Sequence, residues 1–176
     1  LVNEFKVNYD KTGSHIWQVI EGAKTTPSGF MPFSPGPGLG GHCIPIDPFY
    51  LSWKAREFGV ETRFIELAGE INTAMPNYVI DKVISALNEQ SKSVRGARIL
   101  ILGLAYKPNV DDDRESPSYV LIEKLEALGA QVDYNDPHIP VIQPTREHAN
   151  LVGRKSSEIT DDFDLILLAT HHREYS

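Results

Sequence analysis

Apolar residues in roughly the first half of the chain recur at helical spacing, whereas those after Arg95-Gly96 come in short continuous runs. The spacing predicts helices over residues 1–9 and 14–24, with Phe5, Ile16, Val19 and Ile20 facing inward. Gly13 separates them, and Ser14 stands where an N-cap is needed. Residues 25–48 are rich in Pro and Gly and predict a long irregular loop. Phe30, Met31, Phe33, Leu39, Ile44 and Ile46 within it argue against disorder. Asp47 and Pro48 then read as the N-cap and first residue of a helix that stops at Gly59. Two more helices are expected over 64–75 and 76–90, with a break or kink at Pro76, because proline lacks the N–H that continues the helix.

Arg98 to Gly103 is an apolar run of the kind found in buried parallel strands. Ser116-Pro117 opens a helix ending at Gly129, and further strands are expected over 131–134 and 164–169. Strand, helix, strand order predicts a doubly wound parallel layer. The expected fold class is therefore α/β. An all-helical central region (1–92) carries the irregular loop and is followed by a partial Rossmann-like parallel α/β domain (93–176).

Composition narrows the function classes. With 41% hydrophobic and 23% charged residues among 176, the chain is ordinary for a soluble globular protein. A formal net charge of −7 argues against nucleic acid or an anionic membrane as the principal partner. No apolar run is long enough to span a bilayer, and no signal-peptide pattern opens the chain. One cysteine allows no intrachain disulfide, which fits a reducing cytoplasm. The chain starts without Met inside a helical pattern and stops just after a strand-like run, so it reads as part of a longer polypeptide.

Candidate chemistry centres on that cysteine, Cys43, within Gly36-Pro37-Gly38-Leu39-Gly40-Gly41-His42-Cys43-Ile44-Pro45-Ile46-Asp47-Pro48. A lone thiol is either a small buried hydrophobe or, framed by glycines, a nucleophile presented from a loop. Asp47 lies close enough in sequence to serve that sulfur, but local pattern alone favours it as a helix cap; the two roles are compatible. The glycine run lacks the preceding strand and immediate helix of a dinucleotide fingerprint, so its glycines are expected to bring main-chain amides against a ligand. Lys107 follows the end of the first strand, where ligands of open α/β sheets bind, and would either neutralise a phosphate or stay solvated. Arg114 beside Asp111, Asp112 and Asp113 is compatible with a surface ion-pair network. His42-Cys43 and His171-His172 lack the convergent ligands a metal requires, so no metal is expected. Trp17, Trp53, Tyr78 and Tyr119 read as core or interface residues.

Taken together, three stretches resemble the UDP-glucose/GDP-mannose dehydrogenase family. They are Phe30-Met31-Pro32-Phe33-Ser34-Pro35 running on through Gly36 to Pro48, then Gly103-Leu104-Ala105-Tyr106-Lys107, and Asp113-Arg114-Glu115-Ser116. The resemblance implies a four-electron oxidation of a sugar C6 alcohol to a carboxylate with two NAD. Cys43 would capture the aldehyde as a thiohemiacetal and then carry a thioester, with Asp47 assisting water and proton transfers. It further implies that Pro32, Phe33, Ser34, Pro35, Gly36 and Gly40 line the sugar site, that Lys107 contacts the nucleotide-sugar, and that Arg114 reaches NAD. A UDP-sugar substrate and a homodimer are expected, with no nucleic-acid or membrane partner. Glucose-specific members often carry a basic residue where this chain has Ile46. With Pro45 and Pro48, that position resembles the acetamido-sugar branch; the expected substrate is UDP-N-acetylglucosamine, with UDP-N-acetylmannosamine or UDP-glucose the alternatives. The NAD-binding domain and an upstream catalytic lysine and asparagine would precede Leu1, so the 176 residues alone are expected to be inactive.

Overall fold

The computed structural model describes residues 1–145 and 147–176. Helices α1 (Val2–Thr12), α2 (Ile16–Lys24), α3 (Asp47–Glu57) and α4 (Arg63–Glu89) form the first part, with the 25–46 loop between α2 and α3. Strand β1 (Arg98–Leu102), helix α5 (Pro117–Ala127), and strands β2 (Gln131–Asn135) and β3 (Leu165–Leu168) form the second. The sheet is wholly parallel in the order β2-β1-β3, with Leu100 opposite Asp133 on one side and Ile166 on the other. This is the expected α/β class.

Central position explains the unbroken apolar run of β1: Ile99, Leu100 and Ile101 have no solvent exposure. The core continues through Tyr119, Leu121, Ile122 and Leu125 of α5 to Ile80, Val83 and Leu87 of α4. Ser116 caps α5 as expected, accepting a bond from the Ser118 amide, and Pro117 and Gly129 bracket the helix.

Helix α4 departs from expectation. It runs unbroken through Pro76, so one element packs on α1 and α3 and also enters the α/β core through Ile80, Val83 and Leu87. An interior proline typically costs about 3 kcal/mol, and here burial of Met75, Pro76, Ile80, Val83 and Leu87 offsets it. The Asn72 carbonyl loses its usual donor at Pro76, and the loop backbone at Gly38 packs close to that carbonyl.

Two apolar positions on helical faces and two helix starts differ from expectation. Phe5 and Val19 are exposed, and the buried residue of α1 is polar, Asn3. Ile16 and Ile20 are buried as expected. His15, not Ser14, occupies the cap position of α2, with no side-chain cap bond. Ile46 precedes α3, so Asp47 is its first helical residue and does not cap it. Phe30, Met31, Phe33, Leu39 and Ile44 of the 25–46 loop are exposed, as are Trp17 and Trp53, which removes the core reading of those two tryptophans and leaves the interface one. Among the described residues, no helix is long and apolar enough to cross a membrane.

Helices α1 and α4 are tied by Asp10. Its carboxylate accepts from Lys6 at 2.7 Å and from the Tyr78 hydroxyl, and pairs with Lys82 at 3.1 Å. Burial pushes the carboxyl up, but these donors outweigh it and hold its pKa at about 2, below the ordinary 3.8. A depressed folded pKa adds stability above the ordinary value that disappears as pH falls through the folded one. The Asp10 contribution is thus present at pH 5 and lost toward pH 2; Asp10→Asn should flatten that segment of a urea-denaturation pH profile. Gly103 makes a second prediction. Its φ of +90° and a would-be Cβ 2.4 Å from the Thr170 carbonyl oxygen leave no room for a side chain. Gly103→Ala should cost about 2 kcal/mol or more in urea unfolding.

Candidate active site

The loop bearing Cys43 is seated by backbone contacts at several points. The Gly36 amide donates to Asn3 Oδ1 at 2.9 Å, and Asn3 Nδ2 donates to Asn72 Oδ1 at 2.6 Å, linking the loop to α1 and α4. Further along, the Gly41 amide donates to the Arg114 carbonyl at 2.8 Å. A Cβ at Gly40 would lie 2.5 Å from that of Tyr106 and 3.0 Å from the Glu115 carbonyl, and one at Gly41 would meet the Tyr106 ring at 2.9 Å. At Gly40 and Gly41 the missing side chains make room for Tyr106. Only a residue without a Cβ permits so close an approach.

Beyond this seat the chain turns at Cys43, whose carbonyl accepts from the Ile46 and Asp47 amides at 3.1 and 2.8 Å, and α3 begins. Cys43 is exposed, which removes the buried-hydrophobe reading. Its sulfur lies 3.8 Å from Nδ1 of His42. Asp47 is also exposed, and among the described residues its carboxylate has no hydrogen-bond or ion-pair partner. An uncommitted carboxylate in the first turn of a helix, four residues from a thiol, is free to take a proton from water.

Arg114 stands within electrostatic reach of Cys43 and Tyr106. Its guanidinium grips Asp112 through Nε at 2.9 Å and Nη2 at 2.5 Å, which raises its pKa and lowers that of Asp112. Beside it a cleft of 540 Å³ is lined by Gly41, His42, Glu115, Tyr119 and His148 among others. Tyr119 stacks on His148 with centroids 4.8 Å apart and donates to Asp113 at 2.5 Å. Burial, and then Asp113, push the Tyr119 hydroxyl well above its ordinary range, so it stays a donor.

Lys107 is exposed, its ammonium 5.3 Å from the centre of the Tyr106 ring. Of the loop residues assigned to sugar binding, Pro32, Phe33 and Ser34 are exposed, whereas Pro35, Gly36 and Gly40 are half-buried. The described contacts bring Gly40, Cys43, Tyr106, Lys107 and Arg114 into one neighbourhood, with Asp47 one turn beyond. They join Pro32, Phe33 and Ser34 to it only through the chain.

Sequence reasoning missed a buried network at the carboxyl ends of the strands. Asp136 is 2% exposed and accepts the amides of Leu104, Ala105, His138 and Ile139 as well as a bond from His172 Nε2 at 3.0 Å. His172 is fully buried, and its Nδ1 accepts the Asn109 amide at 2.9 Å. Both ring nitrogens are therefore committed, and the nearby trio of His138, His172 and Glu174 lacks a third ligand atom to offer a metal. An aspartate just past a strand end, with proline after it, was the available signal for this network.

Residues 1–74 match the central domain of the UDP-glucose/GDP-mannose dehydrogenase family, and residues 100–176 match the UDP binding domain of the same family. A UDP-N-acetyl-D-mannosamine dehydrogenase of Methanococcus maripaludis is 41% identical over 138 residues, 78% of this chain and 31% of the relative. A UDP-N-acetyl-D-glucosamine 6-dehydrogenase of Pseudomonas aeruginosa is 33% identical over 99% of this chain and 40% of its own length. The solved UDP-D-ManNAc dehydrogenase of Pyrococcus horikoshii superposes with a TM-score of 0.81 at 31% identity, covering 98% of this chain and 38% of that one. The chain thus spans less than half the length of these relatives. With both domain matches in chain order, together covering most of its residues, the chain belongs to the UDP-glucose/GDP-mannose dehydrogenase family.

Proposed function

We propose that the whole protein oxidises the C6 alcohol of a UDP-N-acetylhexosamine to the uronate, with UDP-N-acetylglucosamine the favoured substrate. The observation that carries this reading is the exposed Cys43 thiol at the turn into α3, with Asp47 one turn on, its carboxylate without a partner among the described residues, and the Arg114 backbone bonded to the same loop at Gly41. In this reading residues 1–92 form the central helical unit and residues 93–176 the UDP-binding unit, with α4 shared between them.

NAD supplies the hydride acceptor, one for each of the two oxidations. Arg114 fits the cofactor's diphosphate, because it is exposed and keeps Nη1 clear of the Asp112 pair. After the first oxidation Cys43 Sγ adds to the aldehyde carbon, and the thiol proton passes to the carbonyl oxygen, giving a thiohemiacetal. After the second, the same carbon is a thioester. Asp47 takes a proton from the attacking water, the C–S bond breaks, and the acid leaves with the thiol restored. Lys107 holds the diphosphate of the nucleotide, and Pro32 to Gly36 with Gly40 border the sugar. The apolar residue Ile46 ahead of Asp47 supports an acetamido sugar over glucose.

Exposed apolar residues on α3 and at the start of α4, including Tyr50, Trp53 and Phe64, support a homodimer. The single reduced cysteine suits the cytoplasm. The relatives name both UDP-N-acetylglucosamine and UDP-N-acetylmannosamine enzymes, so the second sugar is the alternative. A panel of UDP-sugars tests the reading on the full-length protein. UDP-N-acetylglucosamine should yield two NADH per sugar at the highest kcat/KM, and the 176-residue chain alone should yield none. Cys43→Ala should slow acid release by about 10³-fold or more. Wild-type acid formation by that variant would exclude the covalent route.

A further inference from the structure

We infer that Asp136 and His172 are positioning residues that hold the Tyr106–Lys107–Pro108 segment at both ends and so set the nucleotide affinity of the site. This rests on the reading of Lys107 as the nucleotide contact. Upstream of the segment, the amides of Leu104 and Ala105 donate to Asp136 Oδ2 at 2.7 and 2.9 Å. Downstream, the amide of Asn109 donates to His172 Nδ1 at 2.9 Å. The two anchors are joined, because His172 Nε2 meets the same Asp136 oxygen at 3.0 Å. Three exposed or half-buried residues are therefore spanned by one pair that is almost fully removed from solvent.

The accounting of protons fixes how the pair works. Nδ1 accepts an amide hydrogen and carries no proton, so the proton of neutral His172 sits on Nε2 and is donated to Asp136. Neither group has a further site for a ligand, so the pair acts only through the backbone it holds. Supporting bonds come from the same strand ends: Thr170 Oγ1 donates to the Ala105 carbonyl at 2.7 Å, and the Arg173 amide to Asn109 Oδ1 at 3.0 Å. Asn109 needs this support, since its φ of +61° is a left-handed conformation that few non-glycine residues adopt. The Tyr106 amide also donates to the Asp112 carbonyl at 3.0 Å, so movement of the segment would reach the partner of Arg114.

Substitutions at His172 separate positioning from bulk stability. His172→Phe fills the same space but leaves the Asn109 amide without an acceptor. His172→Asn leaves a small cavity but places Oδ1 where Nδ1 lay, restoring that acceptor. Calorimetry with UDP on the 176-residue chain should give a Kd about tenfold weaker for His172→Phe and most of the affinity back for His172→Asn, although Asn leaves the larger void. Unchanged affinity in a folded His172→Phe, or equal weakening in both variants, overturns the inference. If the wild-type chain does not bind UDP, the nucleotide reading of Lys107 fails, and amide exchange at Asn109 decides the clamp. Slow exchange in wild type and His172→Asn with fast exchange in His172→Phe sustains it, and equal exchange in all three refutes it. Should either variant fail to fold, Asp136→Asn read by exchange at Leu104 and Ala105 gives the same decision, with faster exchange expected and unchanged exchange contradicting the clamp.

Discussion

The close seating of the Gly40-Gly41 backbone on Tyr106 is the constraint on which the arrangement of the site depends. Tyr106 belongs to the α/β layer and the glycines to the helical part, so this contact fixes where Cys43 stands relative to the strand ends. It is steric and unforgiving, because a Cβ at Gly40 would come within 2.5 Å of another. Around it the Gly41–Arg114 backbone bond and the Asn3–Gly36 bond hold the rest of the loop. Cys43 is exposed on a loop with little regular structure, yet both sides of that loop are tied to buried or rigid elements. Loop residues presented on a fixed scaffold in this way suit covalent chemistry.

Tyr106 itself is held from below. The amides on either side of the Tyr106–Pro108 segment end on one buried carboxylate–imidazole pair, so the platform under the Cys43 loop and the lysine beside it share a support. Helix α4 supplies the second connection between the two parts, entering the α/β core beyond Pro76. The helical and α/β parts thus meet through a continuous helix and through the glycine seat, with Gly38 close to Pro117 as well.

Much of this was legible in the sequence, and the exceptions have physical causes. The strand at 98–102 and the helix opening at Ser116-Pro117 follow from local pattern alone, since burial on both faces and a capped first turn leave plain signatures. Pro76 misled because a helix break is a local rule, whereas burial along α4 is a tertiary gain that outweighs it. Asp47 looked like a cap because residue type and a following proline match that position, but the chain enters α3 one residue earlier. The motifs around Cys43, Lys107 and Arg114 singled out residues that the structure gathers in one neighbourhood, while the packing of Gly40 and Gly41 on Tyr106 was not legible, because a glycine records that space is needed and not what fills it. Asp136, His172, Asn3 and Asn72 were hard to read for a related reason: each makes a bond to a partner at least 31 residues away, which local pattern does not record.

The most direct test of this account is amide exchange at Gly41 in the wild-type chain and in Gly40→Ala. The seat predicts a Gly41 amide protected by its bond to the Arg114 carbonyl in the wild type, with that protection largely lost when a methyl group at residue 40 displaces the loop from Tyr106. Wild-type protection at Gly41 in a folded Gly40→Ala protein would contradict it.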